Sequence, residues 1–306
     1  MAESIFTEPR FTNDDAARKH LEAIRWPNGV VCPHCGGTER NSALNGDSHR
    51  EGLYFCGDCR SQFTVTVGTV FERSKIALHK WVLATHLLCS SKKGMSSHQL
   101  HRMLGVTYKT AWFMSHRIRE AMATAPTGKL GGNGGIVEAD ETFWGNTKKA
   151  KGKRGHQAKM KVLSLVERGG EIRSFHVPNI TGKTLAPIMR EHVAKQANLM
   201  TDEGRNYIKI GQEFASHSTV RHGAGEYARG IAHVNTLESY FNIFKRGLVG
   251  TYHHIGEQHL QRYAKEFDFR YNHRKVSDTE RAESALKGIS GKRLTYRRTA
   301  GEQEIA

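Results

Sequence analysis

His233-Val234-Asn235-Thr236-Leu237-Glu238-Ser239-Tyr240-Phe241-Asn242-Ile243-Phe244-Lys245 reads as one helix, with Glu238 and Lys245 seven residues, or two turns, apart on one face. Two aspartates precede it. Asp140 closes the apolar run Gly135-Ile136-Val137-Glu138-Ala139-Asp140, which reads as a strand ending on a carboxylate. Asp202 stands in Met200-Thr201-Asp202-Glu203-Gly204, with 35 residues between it and Glu238. Isolated acids are ordinarily solvated surface charges. Acids at two strand ends and on a helix are instead the set a metal-dependent phosphoryl-transfer site needs, because Mg²⁺ takes carboxylate oxygens and keeps several waters. Two such ions about 4 Å apart make a nucleophile at neutral pH and steady the crowded phosphorus. In this reading Asp140 bridges both ions, Asp202 and Glu238 hold one each, and Lys245 meets a phosphate near the cut. Asn235 is three residues before Glu238 on the same face, so either can supply the third ligand. Glu138, Glu141 and Glu203 flank the chosen aspartates and rank below them, on the expectation that strand alternation turns them to the opposite face. His233 is read as a cap, a DNA contact or a packed histidine.

The chain has 306 residues, enough for two or three small domains with a real core. Lys plus Arg is 46 against 30 Asp plus Glu, a formal charge of +16, which favours a polyanionic partner. Charge alone fits any basic soluble protein equally well. No stretch approaches 18 uncharged apolar residues, and the first fifteen residues are polar and partly acidic. No signal peptide or membrane span is expected, and the setting should be reducing and cytoplasmic, nucleoid-associated when bound to DNA.

Cys32-Pro33-His34-Cys35 and Cys56-Gly57-Asp58-Cys59 are two CxxC pairs with 20 residues between them. That spacing fits a four-thiolate zinc ribbon, with Gly36 and Gly57 easing each turn. Zinc would stabilise a segment too small to build its own core. Disulfides are the alternative, and a reducing compartment disfavours them. Cys89 reads as a small buried hydrophobe.

Asn13-Asp14-Asp15 starts a helix that ends near Trp26-Pro27-Asn28-Gly29. The run Phe63-Thr64-Val65-Thr66-Val67 is β-rich. Leu78 to Leu88 has helical spacing. Ser96-Ser97 caps a short helix to Leu104, Gly105-Val106-Thr107 turns, and Thr107 caps a longer helix through Ile118 and Met122: a helix-turn-helix pattern. Lys109, His116 and Arg117 on its second helix are candidate DNA contacts, Lys109 and His116 facing a groove. The bland alternative is an ordinary helical hairpin. Residues 126–135 hold Gly131-Gly132-Asn133-Gly134-Gly135 and read as a linker. Strands follow at 136–140, 160–166 and 171–177, the last two a hairpin turning at Gly169-Gly170. Then come a helix at 184–194, short strands at 197–202 and 227–229, the helix 235–245 ended by Gly247, and a helix at 258–272. That order is the one of an RNase H-like α/β domain.

The expected organisation is an N-terminal helical segment at 1–30, a zinc ribbon at 31–72, a helix-turn-helix-like module at 73–125, the linker, an α/β catalytic domain at 136–275 and a basic tail at 276–306. Lys148, Lys149, Lys151, Lys153 and Arg154 form a basic hairpin tip just after Asp140, suited to a phosphate backbone, or else a solvated loop. Lys245 and Arg246 lie beside the proposed acids. His253-His254 reads as phosphate contact or packing, since adjacent histidines rarely share one ion.

These motifs resemble bacterial insertion-sequence transposases of the DDE superfamily. The resemblance is to the zinc-ribbon group named IS fifteen-ninety-five, whose catalytic domain is called ISXO-like, and covers roughly Phe11 to Arg274. It is carried by Cys-Pro-His-Cys-Gly at 32–36, Tyr54-Phe55-Cys56 to Cys59, Phe63-Thr64-Val65, Gly68-Thr69-Val70-Phe71 and Val137-Glu138-Ala139-Asp140-Glu141. Thr201-Asp202, His233-Val234-Asn235 to Glu238, Lys245-Arg246-Gly247, Gly250-Thr251-Tyr252-His253-His254 and Phe269-Arg270-Tyr271-Asn272 complete it. The resemblance implies an RNase H-like core, an Asp140/Asp202/Glu238 triad, a Lys245 phosphate contact, catalytic Mg²⁺ (which Mn²⁺ can replace) and structural Zn²⁺. It implies recognition of terminal inverted repeats on double-stranded DNA, cleavage at the element's end, attack of the freed 3′-OH on target DNA, and a dimer or larger assembly on DNA. Some groups of this family use asparagine as the third catalytic residue; carboxylate binds Mg²⁺ better, which favours Glu238 over Asn235. Rival readings are a non-catalytic DNA-binding regulator derived from a transposase, a nuclease that does not join strands, and a zinc-ribbon protein on RNA.

Overall fold

The computed structural model describes residues 5–147, 152, 154–226 and 228–295. The chain folds into two units, Met1–Ala123 with Val276–Ala306, and Thr124–Lys275.

The first unit opens with a short α1 (Pro9–Thr12) and then α2 (Asp14–Arg25). Asn13 caps α2, its side chain accepting the Ala16 amide at 2.9 Å, while Asp14 and Asp15 face the positive helix end. The ribbon follows as an antiparallel sheet of three very short strands, β1 (Asn41–Ala43), β2 (Tyr54–Cys56) and β3 (Gln62–Phe63), in that order. The β-rich run expected at 63–67 stays extended only at Phe63. Beyond it the threonines close on local partners: the Thr69 hydroxyl donates to Thr66 O at 2.6 Å, and Val67 N donates to Thr64 O at 3.0 Å. The Thr69 side-chain bond and the Val67 backbone turn take the place of ladder pairing.

Next is α3 (Leu78–Ser90), buried along most of its length. In α4 (Ser97–Leu104) the Ser96 hydroxyl accepts the Gln99 amide at 3.1 Å. Gly105 ends α4 at φ 60°, the left-handed conformation that glycine adopts without Cβ strain. Thr107 caps α5 (Tyr108–Met122), accepting the Thr110 amide at 3.2 Å. Helix, glycine turn and helix thus stand where the sequence places them.

The second unit is built on β4 (Ile136–Asn146), β5 (Lys159–Glu167) and β6 (Ile172–Val177). These are followed by α6 (Gly182–His192), β7 (Asn198–Thr201), a one-turn α7 (Ile208–Gly211) and β8 (Ser216–Thr219). A two-residue pair, β9 (Ala228–Arg229) and β10 (Ala232–His233), leads into α8 (Asn235–Gly247), and α9 (Leu260–Asn272) closes the unit. The sheet order is β6-β5-β4-β7-β8. β4, β5 and β6 pair antiparallel; β7 and β8 add in parallel.

Alternation along β4 sorts the two faces. Val137 and Ala139 join Leu163, Leu165, Leu185, Met189 and Leu199 in the core beneath α6. On the other face Val162, Val166 and Ile172 pack with Leu237, Tyr240, Phe241 and Phe244 of α8 and Leu260, Tyr263 and Phe267 of α9. Helices therefore cover both faces, and the even-numbered residues of β4 look towards α8.

Residues 276–295, part of the segment read from sequence as a tail, return to the first unit. Ser277 forms a capping box with Glu280 at the start of α10 (Asp278–Lys287). α10 packs against α2, α3 and α5. A Cβ on Gly288 would stand 2.2 Å from Ala121 O, so this close approach of the ends of α10 and α5 requires glycine. No helix among the described residues is long and apolar enough to cross a membrane.

Candidate metal and acid sites

In the first unit the Sγ atoms of Cys32, Cys35, Cys56 and Cys59 all lie within 4.8 Å of one another. Cys32 and Cys59 are 3.7 Å apart, and Cys35 and Cys56 3.6 Å. None is in a disulfide. Each pair rests on a tight turn: Gly36 N donates to Cys32 O at 2.9 Å, and Cys56 N to Ser61 O at 3.0 Å. Gly36 has φ +79°. Four soft thiolates gathered this way suit tetrahedral zinc. Cys89 is buried within α3.

In the second unit Asp140 is the fifth residue of an eleven-residue strand rather than its last. Its strand pairs along the whole of β5, but pairs with β7 only from Ile136 to Glu138. Asp140 therefore lies past the end of the parallel pairing, which is the local strand end that matters. Asp202 directly follows β7, and its Oδ1 accepts the Gly204 amide at 2.9 Å. Glu238 lies in the first turn of α8. Burial pushes the Asp140 carboxyl up to about 8, opposed by the Glu141 amide, which donates to Asp140 Oδ1 at 2.7 Å. The charges of Asp202, Glu141 and Glu238 raise it further. Among the described residues, however, the cysteines are the one set of three or more ligating side chains drawn close enough to hold an ion. The charges of Asp202 and Glu238 bear on Asp140 without the three acids closing around a point.

The acids flanking Asp140 behave differently from the expectation. Alternation has period two, so Glu138 shares the α8 face with Asp140, and only Glu141 is turned away. Glu138 is fully buried. It accepts from Arg168 Nε at 2.7 Å, Thr236 Oγ1 at 2.9 Å, and the Thr236 and Leu237 amides at 3.0 and 3.1 Å. His233, read as a cap, a DNA contact or a packed histidine, stands 3.3 Å from Glu138 and bonds Arg168 Nη2 through Nδ1 at 3.0 Å. Glu141, on the α6 face, accepts the Tyr207 hydroxyl at 2.6 Å. Burial, followed by the charge of Asp202, raises its carboxyl to about 7. Glu203 is exposed and accepts the Gly223 amide at 2.9 Å. Sequence reading misses Arg168 and Tyr207 because the polar pairs they form join residues 30 and 66 positions apart. The available clue is the apolar run around Glu138, since a carboxylate inside a strand needs a partner.

Lys245, Arg246 and Asn235 are exposed on α8. Lys109 is exposed on α5, and Arg154 is exposed ahead of β5. Two expected DNA contacts are corrected. His116 is 1% exposed and tilts against the Trp112 ring at 4.2 Å, so it lines the helical core and not a groove. Arg117 donates to Glu72 O and Leu294 O, each at 3.2 Å, and lies 4.7 Å above the Phe113 ring. Its guanidinium is engaged inside the protein. Lys148, Lys149, Lys151 and Lys153 lie outside the described residues.

A four-cysteine ribbon and a five-stranded α/β unit carrying acids on neighbouring strands and a helix define the class: a zinc-ribbon protein with a mixed α/β second unit. Residues 131–272 match the ISXO2-like transposase domain and residues 12–62 the transposase zinc-ribbon domain. An uncharacterized protein in transposable element ISH50 of Halobacterium salinarum is 31% identical over 278 residues, covering 85% of this chain and 91% of that relative. An uncharacterized transposase-like protein of Haemophilus influenzae is 30% identical over 100 residues, 33% of this chain and 80% of that relative. The chain belongs to the ISXO2-like transposase family.

Proposed function

We propose that this protein is a DNA transposase that binds the terminal inverted repeats of its element and catalyses Mg²⁺-dependent strand cleavage and strand transfer. One observation carries the catalytic part: Asp202, just after β7, and Glu238, on α8, both bring their charge to bear on the buried Asp140 carboxyl of β4. Neighbouring negative charges disfavour ionisation of Asp140, and a divalent cation would relieve that repulsion. The donor set fits the ion, being all hard oxygen. Bound there, Mg²⁺ would activate the attacking hydroxyl and neutralise charge on the phosphoryl oxygens. Asp140, whose carboxyl feels the charge of both other acids, would be the central ligand. Asp202 and Glu238 would supply the other ligands, with Asn235 as the alternative third. Because Glu238 rides on a helix, DNA engagement can draw the set together.

Lys245 and Arg246, in the last turn of α8, grip phosphates beside the cut. Lys109 on the first unit and Arg154 on the second are further phosphate contacts, with Lys148, Lys149, Lys151 and Lys153 beside Arg154 in sequence. α4 and α5 serve as a helix-turn-helix, and the zinc ribbon assists in reading the terminal repeat. The antiparallel–parallel sheet order supports an RNase H-like arrangement of the acids. Two ends must be held together, so a dimer or larger assembly acts on DNA, at the nucleoid.

The test is Mg²⁺-dependent cleavage and joining of a labelled duplex carrying the inverted repeat that flanks the gene. Wild type should cleave and join; Asp202→Ala and Glu238→Ala should bind and do neither. Tight binding with no cleavage in Mg²⁺ or Mn²⁺ would replace this reading with that of a non-catalytic regulator.

A further inference from the structure

Helix α8 carries Glu238, and its start is held by a side chain from another element. The first free amides of a helix seek an acceptor, ordinarily a local Ser, Thr, Asp or Asn. Here Val234, at the cap position of α8, makes no side-chain cap bond. The Thr236 and Leu237 amides, and the Thr236 hydroxyl, all donate instead to Glu138 on β4. Glu138 is 0% exposed, so the link is dry and short. Arg168, in the turn after β5, pairs with Glu138 and also donates to Ile231 O at 2.8 Å and His233 O at 2.9 Å. It thereby ties down the strand that feeds α8. Glu238 directly follows the last amide Glu138 holds, and Asp140 follows Glu138 by one alternation on the same face.

We infer that Glu138, locked by Arg168, is a positioning residue for the acid site: it fixes the start and rotation of α8 and so presents Glu238 to Asp140. The inference rests on the reading of Asp140, Asp202 and Glu238 as metal ligands. Residues that orient ligands from behind typically change metal affinity about 10–100-fold when altered. Glu138→Gln keeps the shape but replaces one acceptor oxygen with an NH₂ that must face a donor.

The experiment is Mn²⁺ binding to the full-length, zinc-loaded protein, followed by calorimetry and by the electron paramagnetic resonance of free Mn²⁺. Glu138→Gln should weaken Mn²⁺ binding about tenfold or more. The half-saturating Mn²⁺ for DNA cleavage should rise in parallel, with much of the rate restored at high metal. Arg168→Lys and Thr236→Val leave the carboxylate in place and should shift the metal midpoint in the same direction by less. They supply the answer if Glu138→Gln does not fold. An unchanged Mn²⁺ affinity in these variants, whatever their thermal stability, would reduce Glu138 to a structural ion pair. Asp140→Asn and Glu238→Ala run alongside; were they also to bind Mn²⁺ normally, the acid-site reading itself would fall and this inference with it.

Discussion

Asp140 and Asp202 both lie just past the last rung that pairs β4 with β7 in parallel. The last paired rung joins Glu138 to Met200, and each aspartate lies two residues beyond it. Both carboxylates therefore emerge where the β4–β7 ladder has stopped. Side chains of neighbouring strands approach there without a backbone rung between them, which is how Asp202's charge reaches the buried Asp140.

This crowding predicts a pH dependence for the protein free of divalent cation at that site. The Asp140 carboxyl titrates at about 8 folded and near 4 unfolded, so the folded state binds the extra proton between those values. Stability must then fall as pH rises from about 4 to about 8, and flatten above. Glu141, raised to about 7, contributes in the same direction over a narrower window. Asp140→Asn should raise the Tm at pH 8, by about 2–4 °C for each kcal/mol relieved, and do little at pH 5. Differential scanning calorimetry in Mg²⁺-free buffer checks it; an equal gain at both pH values would show that the charge is not the cause.

Glu238 and Asn235 can be separated. Glu238 feeds the charge felt by Asp140, whereas Asn235 is exposed at the helix start. Glu238→Gln should lower the rate of end cleavage by at least about 100-fold. Asn235→Ala should change it only a few-fold. The reversed order in single-turnover cleavage would make asparagine the ligand.

The ribbon should depend on its metal. Strands of three, three and two residues cannot hold themselves, and a metal-bound segment of this size folds with its ion. Chelation or Cys56→Ser should abolish hydrogen-exchange protection at Tyr54–Cys56 while leaving β5 protected. Retained protection at β2 after zinc is gone would show that the aromatic cluster of Trp26, Tyr54 and Phe63 suffices.

Arg117 and Lys109, both read from sequence as DNA contacts, should part company. Arg117→Ala removes two hydrogen bonds from a charged donor and should cost about 2–5 kcal/mol of stability. Lys109→Ala should leave stability within about 0.5 kcal/mol. If it meets a phosphate, it should instead lower the slope of log affinity against log salt by about 1. Fluorescence anisotropy across a salt series and thermal melts distinguish the two.

Much of this fold is legible in its sequence. Asn13, Ser96 and Thr107 announce helix starts, because a cap is a local contact made within three residues. The CxxC pairs work the same way, each a closed turn with its own spacing. What the sequence hides is long-range. His116 reads as a groove-facing histidine at a polar position, and only tertiary packing around α5 buries it. Asp140 reads as a strand end because apolar residues stop there, although β4 runs on to Asn146 with β5 as its partner. Glu138 is set on the wrong face when it is treated as an immediate neighbour of Asp140, although Ala139 separates the two and period-two alternation puts both on one face. β8 escapes notice because Ser216-His217-Ser218-Thr219 at a sheet edge lacks the apolar pattern that marks a strand. α10 carries a legible capping box at Ser277 and Glu280, masked by the basic character of the segment after it.

The return of α10 has a consequence for synthesis. A ribosome finishes residues 1–123 and then makes the entire α/β unit before the helix that packs on α2, α3 and α5 emerges. Domains usually fold in the order they are made. Here the first unit must wait with the face of α3 uncovered until the second unit is complete. A nascent or truncated chain therefore lacks a finished first unit, and the unit read here as the one that finds DNA matures last.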